Sequence, residues 1–227
     1  MRVLAAVLLW VPAALSAQGL GVGVAGVVGT LGFGVEGALG FSDRWDVRGG
    51  IGYLPLEVDL PDVLDPGFSE GISATLRLPD RWYKVGVDFY LGSSFRIGGG
   101  MLFKPDNPMI TGTLAGSASI DIGGETYSVE DVTELTGILA SKDSAPYVLI
   151  GFGKHTSSGI GFFLDLGVAL LDEANVQLTA TGNSSLINSS DFQSRLRTEE
   201  QSLQDSAGNY FKYWPILNFG MRVGIGG

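Results

Sequence analysis

Through most of this chain apolar side chains return at every second position. In the clearest run Leu31, Phe33, Val35, Gly37, Leu39 and Phe41 alternate with Thr30, Gly32, Gly34, Glu36, Ala38 and Gly40. A strand sends successive side chains to opposite faces, so this run has one apolar face and one face of small residues with an occasional charge. The same period recurs over 45–55, 83–91, 95–104, 160–170 and 211–225, and more weakly over 72–78, 146–153 and 176–181. The strong segments are about as long as a tilted membrane-crossing strand, ~9–11 residues, or somewhat longer.

Charge sorts by face. The apolar faces carry none, while the opposite faces hold Glu36, Asp46, Asp88 and Asp165 with Arg48, Lys84, Arg96, Lys212 and Arg222. A basic side chain turned to lipid at the bilayer midplane costs roughly 2–4 kcal/mol, so a bilayer enforces such segregation. A soluble barrel or sandwich would show Lys, Glu, Thr and Ser on its outer face and fewer glycines. The pattern predicts an all-β chain, a closed antiparallel transmembrane β-barrel with small and charged residues in its lumen.

Nine segments alternate, and closed bacterial barrels have an even number of strands. Eight follows if 72–78 belongs to the loop before Pro79; ten follows if 110–122 or 19–28 forms a strand of its own. The count adopted is eight. Trp45, Tyr53, Trp82, Tyr83, Tyr147, Tyr210, Tyr213 and Trp214 fall near strand ends, where aromatic girdles sit. The long connections are 57–71, 105–143 and 182–210. The last predicts one short helix: Ser190-Asp191-Phe192-Gln193 has capping-box spacing, the segment runs to about Asp205, and Gly208 suits a stop.

Composition sharpens this reading. Thirty-five glycines in 227 residues is about twice the ~7% usual in proteins, an excess that calls for close strand approach or a filled narrow lumen. Without cysteine there is neither a disulfide nor a thiolate site. A net charge of -10 argues against nucleic acid as a partner. Met1-Arg2, the apolar run Val3 to Leu15 and Leu15-Ser16-Ala17 read as an export signal cleaved before Gln18, too short to span a bilayer. Residues 1–17 are therefore the signal and 18–227 one outer-membrane barrel domain.

Candidate chemistry is sparse. Gly21-Val22-Gly23-Val24-Ala25-Gly26 matches the dinucleotide fingerprint in letters, but it leads into a strand where the motif needs a helix. His155, the only histidine, lies in a stretch of turn composition with no identifiable carboxylate partner, and reads as solvated. Asp59, Asp62 and Asp65 lack the spacing of a calcium loop. No cofactor, metal or catalytic set is implied.

Several runs resemble the small bacterial outer-membrane β-barrel proteins of the OmpA/OmpW-like kind: Gly29-Thr30-Leu31-Gly32-Phe33-Gly34, Phe95-Arg96-Ile97-Gly98-Gly99-Gly100, Gly161-Phe162-Phe163-Leu164-Asp165-Leu166-Gly167, and Lys212-Tyr213-Trp214-Pro215 before a final strand. The resemblance implies an address in the bacterial outer membrane, with membrane lipid and the outer-membrane assembly machinery as partners, and names no reaction. The lumen of an eight-stranded barrel is just wide enough for side chains. The four acidic and five basic inward residues are thus expected to pair and close it, for a structural or narrow-pore role. The alternative is selective passage or binding of a small solute.

Overall fold

The computed structural model describes residues 21–60, 71–207 and 212–225. The export signal, Asp62, Asp65, Gly208 and Tyr210 lie outside them. Eight strands close a barrel: β1 (Gly21–Gly29), β2 (Gly32–Ser42), β3 (Trp45–Tyr53), β6 (Arg81–Tyr90), β7 (Phe95–Phe103), β12 (Ser144–Phe152), β13 (Gly159–Leu170) and β15 (Tyr213–Ile225). They run antiparallel in that order, and β15 returns to pair with β1 through Val22↔Ile225 to Gly29↔Asn218. Closure leaves no unpaired edge, as a strand in hydrocarbon requires.

The outer wall is built from the alternation. Val35, Ile51, Val85, Ile97, Val148, Phe162 and Phe219 point outward and are exposed. Among the outward positions of the eight strands one ionised residue stands, Arg81, at the end of β6. No helix of the described residues is long and apolar enough to cross a membrane; the strands cross it. This is the closed antiparallel eight-strand barrel that the periodicity predicts, and its apolar belt places it in the bacterial outer membrane.

The number is eight, but the membership differs from the sequence count. Residues 21–29 are a barrel strand, whereas 176–181 are not. Leu31, counted with the lipid face, sits in the tight β1–β2 turn beside Gly32, whose φ of +82° glycine tolerates, and its side chain is buried with Trp82 and Leu102.

Short turns join β2–β3, β6–β7 and β12–β13 at one end; the three long connections all leave from the other. In barrels of this kind the longer loops face the cell exterior. Here they build a second layer. Strands β4 (Glu57–Asp59), β5 (Ile72–Arg77), β8 (Met109–Leu114), β11 (Val132–Ala140) and β14 (Asn175–Gly182) form a sheet in the order β14-β11-β8-β5-β4. A hairpin of β9 (Ser119–Ile122) and β10 (Glu125–Ser128) and the helices α1 (Ser184–Ile187) and α2 (Ser190–Ala207) complete it. One sheet face carries a hydroxyl row, Thr179–Thr136–Thr111–Thr75, one residue from each of four adjacent strands. The other buries Val132, Leu139, Val176 and Leu178 against Ile122 of the hairpin and Phe192 and Leu196 of α2.

Helix α2 also covers the open side of β14. Glu200 Oε1 accepts the Leu178 N–H (2.7 Å), and Gln204 accepts the Val176 N–H (2.8 Å) while donating to Ala174 O (2.7 Å). Those groups would otherwise be a free template for another strand. The helix cap is Ser189, one residue before the expected Ser190: its Oγ accepts the Phe192 N–H at 3.2 Å.

Candidate functional site in the barrel lumen

The inward strand positions carry long side chains such as Arg48, Lys84, Arg96 and Arg222 as well as short carboxylates, and small residues on the neighbouring strands leave room for the long ones. Arg48 pairs in register with Ala38 and Gly86, Glu36 with Ala25 and Gly50, Arg96 with Gly151, Arg222 with Ala25 and Gly161. A Cβ on Gly151 would come 2.5 to 2.7 Å from the Arg96 guanidinium, and one on Gly161 within 2.6 Å of Arg222. The glycine excess thus serves the lumen directly.

Six of these charges meet at the centre. Arg48 Nη1 lies 2.6 Å from Asp165 and 3.4 Å from Glu36, and its Nε 3.2 Å from Asp88. Arg96 pairs with Asp165 and, through Nε at 3.0 Å, with Asp88. Lys84 pairs with Glu36 and stands 4.0 Å from Asp165. Three cations face three carboxylates, all with side chains sealed from solvent or nearly so. Charges taken out of water persist only in such company, because an unmatched one costs several kcal/mol.

The periplasmic end is closed by the β12–β13 connection folding inward. Arg96 donates to the Gly153 carbonyl, and Arg222 to the carbonyls of Ser157 and, at 3.1 Å, Gly159. His155 and Thr156 are thereby carried into the lumen. Thr156 Oγ1 donates to Asp46 at 3.2 Å, Tyr90 donates to Asp46 at 2.8 Å and accepts the His155 N–H at 3.1 Å, and the His155 ring packs 4.2 Å from that of Phe163. His155 is therefore not the solvated turn residue the sequence suggested. Its polar partners, Tyr90 and Asp88 (3.6 Å), come from β6, far away in sequence, so no local signal marks it.

An apolar lid closes the exterior end. Trp82 and Trp214 pack at a tilt of 40° with centroids 4.7 Å apart over Leu31, Leu102, Tyr147, Leu149 and Ile216. Trp82, Tyr147 and Trp214, which their place near strand ends predicts for the membrane girdle, are instead inward, and parity is the reason. Trp82 shares the inward face of Lys84, Tyr147 that of Leu149, and Trp214 that of Ile216 and Asn218. Just above, Lys104 is buried and donates to Asn107 Oδ1 at 2.5 Å; burial holds its ammonium below the usual lysine range.

Of the nine residues expected in the lumen, Glu36, Asp46, Arg48, Lys84, Asp88, Arg96, Asp165 and Arg222 lie inside, in four acidic and four basic positions. Lys212 does not. It precedes β15, where alternation no longer fixes a face, and it pairs with Glu173 at 2.5 Å outside the lumen. Glu36, His155 and Asp165 bring ligand atoms within 4.8 Å of one another, yet a divalent cation there would meet Arg48, Lys84 and Arg96 in a cluster already neutral. Beside Glu36 and Lys84 the lumen keeps a cavity of about 10 Å³, room for one water at most.

No protein-family model matches the sequence, and neither does any curated protein. Solved structures do match in fold. Crystal structures of CarO2 and CarO of Acinetobacter baumannii superpose with TM-scores of 0.55 and 0.53 at 19% and 15% identity. The alignments cover 89% and 91% of this chain and 97% and 98% of those proteins.

Proposed function

We propose that this protein is a closed outer-membrane barrel that holds its exterior sheet-and-helix layer at the cell surface and passes no solute steadily. The observation that carries the reading is Arg48, which bridges carboxylates from three other strands, Glu36 of β2, Asp88 of β6 and Asp165 of β13, at the middle of the lumen. A transport path would need those pairs exchanged for water or solute. The Trp82–Trp214 lid and the inserted 153–158 connection support closure at both ends, and the cavity at the exterior junction, beside Trp82, Lys104 and Trp214, is again only about 10 Å³.

Planar-bilayer recording of the purified protein tests this. The unmutated barrel is expected to give no steady unitary conductance. Arg96→Ala, which frees the Gly153 carbonyl and takes from Asp165 and Asp88 one of their cations, is expected to introduce steps. A wide, steady conductance in the unmutated protein, unchanged by Arg96→Ala, would refute closure and favour solute passage.

A further inference from the structure

Arg81, the one ionised residue on the outward face of the described barrel strands, occupies a distinctive place. Register sets it at the end of a row across five strands, Phe219–Val28–Phe33–Tyr53–Arg81. The next row toward the midplane is Met221–Gly26–Val35–Ile51–Tyr83, and the one below it Val223–Val24–Gly37–Gly49–Val85. The missing side chains at Gly26, then Gly37 and Gly49, sink a trough between flanking large residues. Its upper part is a groove of about 710 Å³ lined by apolar and aromatic side chains, with Arg81 the charged one. Above the rim, between β6 and the exterior sheet, lies a second pocket of about 450 Å³ of mixed character, with Arg77, Asp80, Arg81 and Asp106 in its wall beside Leu78, Met109 and Ile138. Arg81 lines both.

We propose that groove and pocket together bind one phosphorylated lipid of the outer leaflet, an acyl chain lying in the trough and its phosphate on the Arg81 guanidinium. The inference is independent of the closed-lumen reading. Position selects the occupant. The groove is in the hydrocarbon band, where neither water nor a soluble protein fills it, and an unfilled hollow leaves its lining without contacts. Charge selects the head group. Arginine presents a fork of donors that matches phosphate in two parallel bonds. The ion pair from Arg81 to Asp106 is 3.9 Å long, with side chains 58% and 48% exposed, so a phosphate displaces it at small cost. Arg77 is already committed to Asp80 at 2.7 Å. Asp106, once released, accepts from a hydroxyl or ammonium of the head group. Both cavities fall within the size range of ligand sites, ~300–1,000 Å³.

Native mass spectrometry of the full protein released from mild detergent tests the site, with phosphatidylglycerol and, separately, diacylglycerol of the same chains as probes. One phosphatidylglycerol is expected to stay bound per barrel and diacylglycerol to be lost. Arg81→Gln should weaken phosphatidylglycerol retention about tenfold, the scale of one charge-assisted contact. Gly26→Leu should weaken it by filling the trough, and since a Cβ there meets nothing within 4 Å the barrel itself should fold; the gel shift between folded and boiled protein checks that for both variants. Equal retention of the two lipids, no retained lipid, or retention unmoved by both substitutions in folded barrels would overturn the proposal.

Discussion

Replacing Arg48 by methionine tests the central cluster most directly. The side chain is fully buried and lies within 3.4 Å of three carboxylates. With it in place Arg48, Lys84 and Arg96 balance Glu36, Asp88 and Asp165; without it two cations face three anions. At an effective dielectric constant of about 20, one unit charge 4 Å from another is worth about 4 kcal/mol. Breaking a buried pair by removing one partner costs about 3–5 kcal/mol. The two figures agree, so Arg48→Met should lower stability by about 4 kcal/mol. The companion is Arg48→Met with Asp165→Asn, which restores two cations against two anions and should recover at least half of that loss. Urea titration of the barrel in lipid vesicles reads both, through gel mobility and through the fluorescence of Trp82 and Trp214, which the lid places against each other. If Arg48→Met cost less than about 1 kcal/mol, or if the double variant simply summed the two single losses, the charges would not be acting as a neutral unit and the argument would fail.

Two further substitutions probe the wall. Leu164, outward on β13 between Phe152 and Phe219, should not tolerate arginine: Leu164→Arg is expected to cut folding yield into vesicles by the equivalent of about 2–4 kcal/mol, while Thr179→Lys on the solvated face of the exterior sheet should fold normally, and equal yields would contradict both facings. Gly151→Val drives a side chain into the Arg96 guanidinium, whereas Gly99→Val points to lipid with its nearest neighbour 3.3 Å away. The first should cost about 1–3 kcal/mol of overpacking and the second far less, as urea midpoints would show.

Much of the architecture is legible in the sequence because side-chain alternation in a strand has a fixed period of two. Once Glu36, Arg48, Lys84, Asp88, Arg96, Asp165 and Arg222 fall opposite the apolar face, the bilayer leaves them only one side to occupy. The same logic reaches Trp82 and Trp214, for which parity outweighs the habit of aromatics at membrane interfaces. It stops where alternation stops. Lys212 has the spacing of Arg222, but it lies ahead of the strand, so its spacing carries no facing.

What the period of two cannot distinguish is the medium beyond the sheet. Residues 176–181 alternate too, about as weakly as the barrel segment 146–153, because a sheet with one face on a core and one on water has the same pattern as one facing lipid. Only tertiary structure assigns 21–29 to the barrel and β14 to the exterior layer, since that depends on which edges pair. Only closure of eight strands brings Arg48 to Asp165 across 117 residues of chain and draws His155 and Thr156 inside, contacts set by barrel diameter and register rather than by any local preference. The sequence by itself determined which side chains face inward along the strands; the closed barrel decided which of them meet, and that the lumen they share is filled.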